Sequence, residues 1–533
     1  MSGSASDDEP VTVAGSTAAP PRTRAPVGLG ALAGVVAGLV TVGVGSLVSL
    51  FTGAASDPLT AVGAAFVDAT PPWLKEFATS TFGTADKTVL RIGEALVLAL
   101  LAATAGILAA RRWAWGATVV VLLGAVALAA ALGRPGATWT AALPSLLGTI
   151  AGLVTLQSLV ARLPRRAEDA GPQPAGSSGP DRRAFLQASA IGVAVGLVGL
   201  AAGRLLGAAG RAATAARAAL HLPAPKVPAP PVPAGVDVGV EGVDPWATPP
   251  DDFYRIDTAL VVPQVDPNTW KLRVHGLVEH EVELTWAELL ASDLVEAWVT
   301  LACVSNPVGG DLVGNQRWLG LPVREVLARA RPTAGADMVL SRSADGWTAS
   351  TPLEALTDDR NALLAVGMDG EPLPLVHGFP VRMVVPGLYG YVSATKWVVD
   401  LEVTRFADAT AYWTDRGWSQ RGPVKTQSRI EVPSTGAHVD AGTVVVAGTS
   451  WAQHRGITRV QVQVDDGAWD DVTLADDGGI DSWRQWRYDW PATSGEHTVR
   501  VRAFDPDGPQ TGAQADVVPD GATGYDEISV EVR

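Results

Sequence analysis

The chain has 533 residues, with 40 Lys+Arg against 55 Asp+Glu and a formal charge of −15, and is too long for one ordinary domain. The charge is split: residues 1–209 carry 14 basic and 11 acidic side chains, residues 210–533 carry 26 and 44, and so acidic a second part excludes a nucleic-acid or anionic-lipid surface there. A single cysteine, Cys303, excludes an intrachain disulfide, a cysteine-ligated iron–sulfur cluster and a four-cysteine zinc site.

Residues 1–26 are expected to form a disordered cytoplasmic N-terminus and 27–209 a membrane domain. A bilayer core needs about 20 apolar residues as helix. Four uncharged runs meet that length: Val27–Phe51, Trp113–Leu132, Thr138–Val160 and Ala184–Gly203. A fifth, near Leu90–Ala110, carries Arg91 and Glu94, three apart, either as an interfacial helix end or as an intramembrane pair. Arg22 and Arg24, then Arg111 and Arg112, then Arg162, Arg165, Arg166, Arg182 and Arg183 fall in alternate connections. The positive-inside rule puts those segments in the cytoplasm, with Arg134 as an exception. Five spans then place everything after residue 210 outside a bacterial cell membrane. Asp181-Arg182-Arg183-Ala184-Phe185-Leu186 resembles an internal twin-arginine export motif. That route carries folded proteins, as a domain loaded with a buried cofactor requires. No histidine lies in a span, and neither do Met338, Met368 and Met383, so no conventional bis-His haem is expected between the helices.

Residues 210–242 read as a linker. Pro223–Gly235 favours extended polyproline II and is expected to act as a spacer. Residues 243–428 mix short strands with short helices in an α+β layout. Trp270–Leu277, Val381–Val385 and Lys396–Thr404 read as strands, and Val323–Arg329 as a helix. A second helix, Trp286–Leu290, is capped by Thr285 with Glu288 three residues on. Residues 429–533 become all-β, with strands expected at Gly442–Gly448, Ile457–Val464, Arg484–Trp490, His497–Phe504 and Ile528–Arg533. Their regular spacing suggests an immunoglobulin-like sandwich.

Chemistry concentrates in two segments. Thr300-Leu301-Ala302-Cys303-Val304-Ser305-Asn306-Pro307-Val308-Gly309-Gly310 puts the thiol where an apolar run opens into a polar, glycine-rich turn, a place from which a side chain can reach a cofactor. By itself a buried free cysteine is more often packing. His377-Gly378-Phe379-Pro380-Val381-Arg382, with Ser393 to Trp397 downstream, gathers a histidine, Arg382 and Lys396 in an otherwise acidic half. A polyanionic phosphate asks for such a set, although surface ion pairs would look the same.

Taken together, residues 243–533 resemble the sulfite oxidase family of molybdopterin-binding oxidoreductases in a membrane-anchored bacterial form. The match rests on Phe253-Tyr254-Arg255, on Cys303 with Asn306, on His377 to Arg382 and on Lys396-Trp397. The resemblance implies a molybdenum held by a pterin dithiolene and the Cys303 thiolate. It sets Tyr254, Arg255, Ser305, Asn306, His377, Arg382, Ser393 and Lys396 at the cofactor, and makes the sandwich a homodimerisation domain. It implies oxygen-atom transfer on a small oxyanion, with electrons passing to or from a separate carrier. Pro307 and Val308 stand where sulfite oxidases carry an arginine pair, and Tyr412 to Trp418 offers no clear pocket tyrosine. Arg416 is the candidate replacement cation, orienting substrate with Arg255. Three readings stay open: sulfite-like oxidation, sulfoxide-type reduction fed from a membrane partner, and a tethered binding protein whose metal site has decayed.

Overall fold

The computed structural model describes residues 23–24, 26–71, 74, 77, 81–82, 86–134, 137–163, 166–167, 180–205 and 208–533. The expectations on the N-terminal tail, on Arg22 and Arg165, and on the side chain of Arg182 lie outside the described residues. The chain divides into two compact units. One comprises 1–65, 79–133 and 137–205, the other 66–78, 134–136 and 206–533.

Five helices of the first unit are long and apolar enough to cross a membrane: Val27–Thr52, Lys87–Arg111, Trp113–Leu132, Trp139–Ala161 and Arg183–Gly203. The fourth opens as a tight turn, Trp139–Ala142, before the α-helix Leu143–Ala161 with Pro144 in its first turn, where a proline costs no hydrogen bond. Glycine sets how closely the first helix meets its neighbours. A Cβ on Gly34 would lie 1.9 Å from Ala102 O, and one on Gly43 would lie 2.3 Å from Gly196 O. Helices without a hydrophobic drive between them associate through this sort of close approach. Gly34→Leu is therefore expected to part the first helix from Asp86–Arg111, lowering the detergent-solubilised melting temperature by several degrees. An unchanged melting curve would contradict that packing.

In the second unit the helix Ala208–Ala219 leads into the proline-rich segment. The segment expected to act as a spacer is hydrogen-bonded to later segments of the chain. Lys226 N–H donates to Leu294 O at 2.8 Å, Glu296 N–H donates to Val227 O at 2.8 Å, and Asp476 N–H donates to Gly235 O at 2.8 Å. A sheet edge with unpaired groups captures an extended segment that has a few free N–H and C=O groups of its own.

Two five-stranded sheets follow. In one the order is Glu371–Pro372, Leu363–Met368, Val313–Pro322 and Val295–Ala302, with Arg382–Val384 also pairing Leu363–Met368. In the other the order is Val282–Thr285, Lys271–Gly276, Val398–Thr404, Met338–Ser343 and Thr348–Pro352, the second and third strands running parallel. Trp286–Ala291 starts with the expected capping box between Thr285 and Glu288. Residues 427–532 form a four-stranded and a six-stranded sheet. Val446, Trp486 and Trp490 from the first share one buried cluster with Val462, Val499, Val501 and Val530 from the second, so the two sheets face each other across a common core.

Candidate functional site

Cys303 stands one residue past the strand Val295–Ala302, whose last four residues are all buried. Its loop is held shut by its own backbone and by Asn306. Cys303 N–H donates to Leu312 O at 2.9 Å and Asn306 N–H to Cys303 O at 3.1 Å. The Asn306 side chain accepts from Leu312 N–H at 2.9 Å. This asparagine therefore shapes the loop that carries the thiol. The Ser305 hydroxyl is 2.9 Å from Cys303 Sγ. Burial pushes the thiol up from its ordinary range, while Ser305 and the Lys396 charge pull against it.

Tyr254 stacks on Phe253 with ring centroids 5.2 Å apart. Burial, and then the nearby thiolate, push its phenol far above the usual range, so it stays protonated. Tyr389, missed by sequence, is a second buried tyrosine biased by Cys303. Burial pushes it up to about 12, and its oxygen accepts from Lys425 N–H at 3.3 Å.

The cations assemble around one glycine. Gly378 sits at φ +113°, and a Cβ there would lie 2.9 Å from Arg382 Cβ and 3.2 Å from Lys396 Cβ, so only glycine lets the His377 turn fold down between them. Arg382, 5 % exposed, donates to His377 O at 3.2 Å and lies 5.0 Å from the Trp318 ring centroid. Among the described residues no carboxylate pairs with it, and burial brings it down to about 10. Lys396 Nζ donates to Asp257 Oδ2 at 2.8 Å and to Val376 O at 3.1 Å. Arg255 Nε donates to the same Asp257 oxygen at 3.0 Å. His377 Nε2 lies 3.1 Å from Pro250 O, an acceptor only, so Nε2 carries the proton and Nδ1 is left as an acceptor. Burial, then Arg382 and Lys396, bring His377 down to about 3, so the ring is neutral.

Two cations, Lys396 and Arg255, thus share one carboxylate, Asp257, another residue that sequence reading missed, while the neighbouring Arg382 has none among the described residues. Its position two residues after Arg255 was the available signal. Among the described residues no group of three or more His, Cys, Asp or Glu is placed to hold a metal ion directly. What the cluster lacks is negative charge, which a bound phosphate monoester would supply. A lone thiol beside a buried cationic recess fits a metal carried by an anionic organic group, and does not fit a bare ion.

Two expected residues turn elsewhere. The Ser393 hydroxyl donates to Tyr389 O at 2.9 Å, closing its own turn. Arg416, the expected orienting cation, has protein partners of its own. It donates to Tyr412 O at 2.6 Å and to Asp68 O at 3.3 Å, and its guanidinium lies 3.6 Å from the Tyr412 ring centroid.

Burial and the repulsion of Arg382 and Arg255 outweigh Asp257 and bring Lys396 down to about 8. In the unfolded chain a lysine holds its proton to about 10.4. Between those values the unfolded state binds more protons, so the cofactor-free protein gains stability as pH rises from about 8 to about 10. Melting temperatures across that range check this, and Lys396→Met is expected to flatten the rise.

Comparison with known proteins agrees with the geometry. The family described as oxidoreductase molybdopterin binding domain matches residues 259–413. Mitochondrial sulfite oxidase of Mus musculus is 29% identical over 307 residues, covering 48% of this chain and 56% of that protein. The uncharacterized oxidoreductase YuiH of Bacillus subtilis is 32% identical over 170 residues, covering 32% of this chain and 82% of that protein. The chain spans little more than half the length of the mouse and human sulfite oxidases it matches. Among solved structures, the sulfane dehydrogenase SoxCD from Paracoccus pantotrophus aligns with a TM-score of 0.44 at 24% identity, over 51% of this chain and 75% of that one.

Proposed function

Because the chain belongs to the sulfite oxidase family of molybdopterin-binding oxidoreductases, we propose that it is a membrane-anchored molybdenum enzyme doing two-electron oxygen-atom transfer on a small sulfur or nitrogen oxyanion, sulfite-like oxidation first. The observation that carries this is the excess of positive charge at buried Arg382 and Lys396, with Arg255 at its exposed edge, the Lys396 charge being felt by the protein's one thiol. Cys303 is the proposed metal ligand, a soft thiolate suited to such a metal. Arg382, Lys396 and Arg255 hold the pterin phosphate. Neutral His377 keeps Nδ1 as an acceptor for a pterin N–H. The metal, when bound, supplies the two-electron redox step. The polypeptide supplies the rest: Tyr254 and Tyr389 flank the thiol as protonated phenols, and Ser305 fixes the sulfur's direction. Asn306 and Ser393 act on the framework rather than on the ligand.

A sulfoxide-type reductase is the second reading, favoured by Pro307 and Val308, which bring no cation to the Cys303 loop. The decayed binding protein is disfavoured, since the thiol and its cations are all in place. The test is pterin and metal analysis followed by steady-state assays with sulfite and with methionine sulfoxide. Turnover of sulfite alone supports oxidation, turnover of the sulfoxide alone supports reduction, and a metal-free protein overturns both.

We further propose that the five apolar helices span a bacterial cell membrane, that residues 210–533 lie on its extracytoplasmic side, and that a separate redox carrier takes the electrons. The C-terminal sandwich is proposed as immunoglobulin-like and as the homodimer contact. Replacing Arg182 and Arg183 by lysine is expected to leave the soluble half protected from added protease in spheroplasts. Continued cleavage would contradict twin-arginine export.

A further inference from the structure

The strand that leads to Cys303 is the last of its sheet. Val313–Pro322 pairs with one side of it, and among the described residues no strand pairs with the other. An edge strand leaves alternate N–H and C=O groups without ladder partners, at a cost when they are buried. Here two segments from outside the sheet take them. At the start of the strand the proline-rich segment forms a parallel bridge, Val227 to Val295, with Lys226 N–H donating to Leu294 O and Glu296 N–H to Val227 O, each at 2.8 Å. Prolines cannot donate, and the pairing runs through Lys226 and Val227, two residues that are not proline.

Further on, the sandwich takes hold of Thr300, which is 1 % exposed. Thr300 N–H donates to Asp481 O at 2.9 Å. Thr300 O accepts from Gln453 Nε2 at 3.1 Å. Its hydroxyl accepts from Trp483 N–H at 2.8 Å and donates to Asn315 Oδ1 at 2.9 Å. Behind this lock, Trp483 Nε1 donates to Trp246 O at 2.8 Å and Trp246 Nε1 donates to Trp483 O at 3.2 Å. All polar groups of a residue three places before the thiol are thus satisfied, and three of their partners come from the C-terminal domain.

We propose that the C-terminal sandwich and the proline-rich segment are positioning elements of the catalytic site, which complete the open edge of the Val295–Ala302 strand and so fix where Cys303 Sγ stands. Thr300, Gln453 and Trp483 are the positioning residues. The sandwich is then part of the site's frame whether or not it also joins two subunits. The catalytic meaning of this rests on Cys303 being the metal ligand. The positioning itself does not.

The test uses the lone cysteine. In the full chain, made in a host that cannot synthesise the pterin, alkylation by iodoacetamide reports on Cys303 alone. Gln453→Leu, which loses one hydrogen bond, is expected to raise that rate about tenfold, and Thr300→Val, which loses both bonds of the hydroxyl, by at least as much. Lys226→Pro, which deletes the donor to Leu294 O, is expected to act in the same direction. Val499→Ala, a cavity in the sandwich core far along the chain from Gln453, is expected to leave the rate unchanged while lowering the melting temperature. Unchanged rates in both Thr300→Val and Gln453→Leu would overturn the proposal, as would an equal rise in Val499→Ala. Molybdenum retained by Cys303→Ser would instead defeat the ligand reading and leave the labelling result standing.

Discussion

Cys303→Ser is expected to abolish turnover while leaving the soluble unit folded. Serine is nearly isosteric, and the loop is held by Cys303 N–H to Leu312 O and by Asn306, neither of which needs the sulfur. The stability change should stay within about 1 kcal/mol, as for a substitution that opens no cavity and strands no charge. The phosphate-side cations are untouched, so part of the pterin should still copurify. A hydroxyl is a hard, reluctantly ionised donor where the site calls for a soft thiolate, so what fails is the chemistry at the metal. Activity together with pterin content on the same sample checks this. Full turnover in the serine variant would remove the metal-ligand assignment.

Arg382→Met should separate binding from folding. Arg382 is buried, with two backbone oxygens and an aromatic face as its partners and no carboxylate among the described residues. An uncompensated buried charge costs several kcal/mol, and a methionine of similar reach removes that cost. Against this stand the lost bonds to His377 O and Met383 O, both long at 3.2 and 3.4 Å. The cofactor-free variant should therefore be as stable as the parent, within about 1 kcal/mol, or more stable. The loaded variant should lose one charge-assisted hydrogen bond to the phosphate, about 1.5–3 kcal/mol, or about 10- to 100-fold in retention. Melting temperatures of both forms, with pterin counted after dialysis, decide the matter. Equal destabilisation of both forms would show that Arg382 is a structural residue and not an anion holder.

The five long apolar helices were legible because length and apolarity alone specify them, and all five expected runs are helices long and apolar enough to cross a membrane. The capping box at Thr285 was legible for the same reason, since its chemistry is local. The thiol and the His377–Arg382–Lys396 group were found through their place beside glycine and proline turns. Asp257 and Tyr389 were not, because a single carboxylate or phenol carries no sign of burial in the sequence. Val313–Pro322 hid as a strand because Asn315 and Gln316 interrupt its apolar pattern. Both amides are buried and bonded, to Trp246 O and Thr248 O, partners about seventy residues away. The partners of Arg416 could not be read in the sequence, because Asp68 lies 348 positions away. The same holds for the proline-rich segment. Polyproline II describes its local conformation, while the edge of the Val295–Ala302 strand decides what it does.

The central claim is that Cys303 holds a metal whose anionic organic carrier is gripped by Arg382, Lys396 and Arg255. The most direct measurement is molybdenum content and Cys303 alkylation on one sample of the full chain, purified from a host that makes the cofactor. Stoichiometric molybdenum is expected, with a thiol that resists alkylation until the metal is removed. A metal-free protein, or a thiol that reacts equally fast with and without molybdenum present, would contradict it.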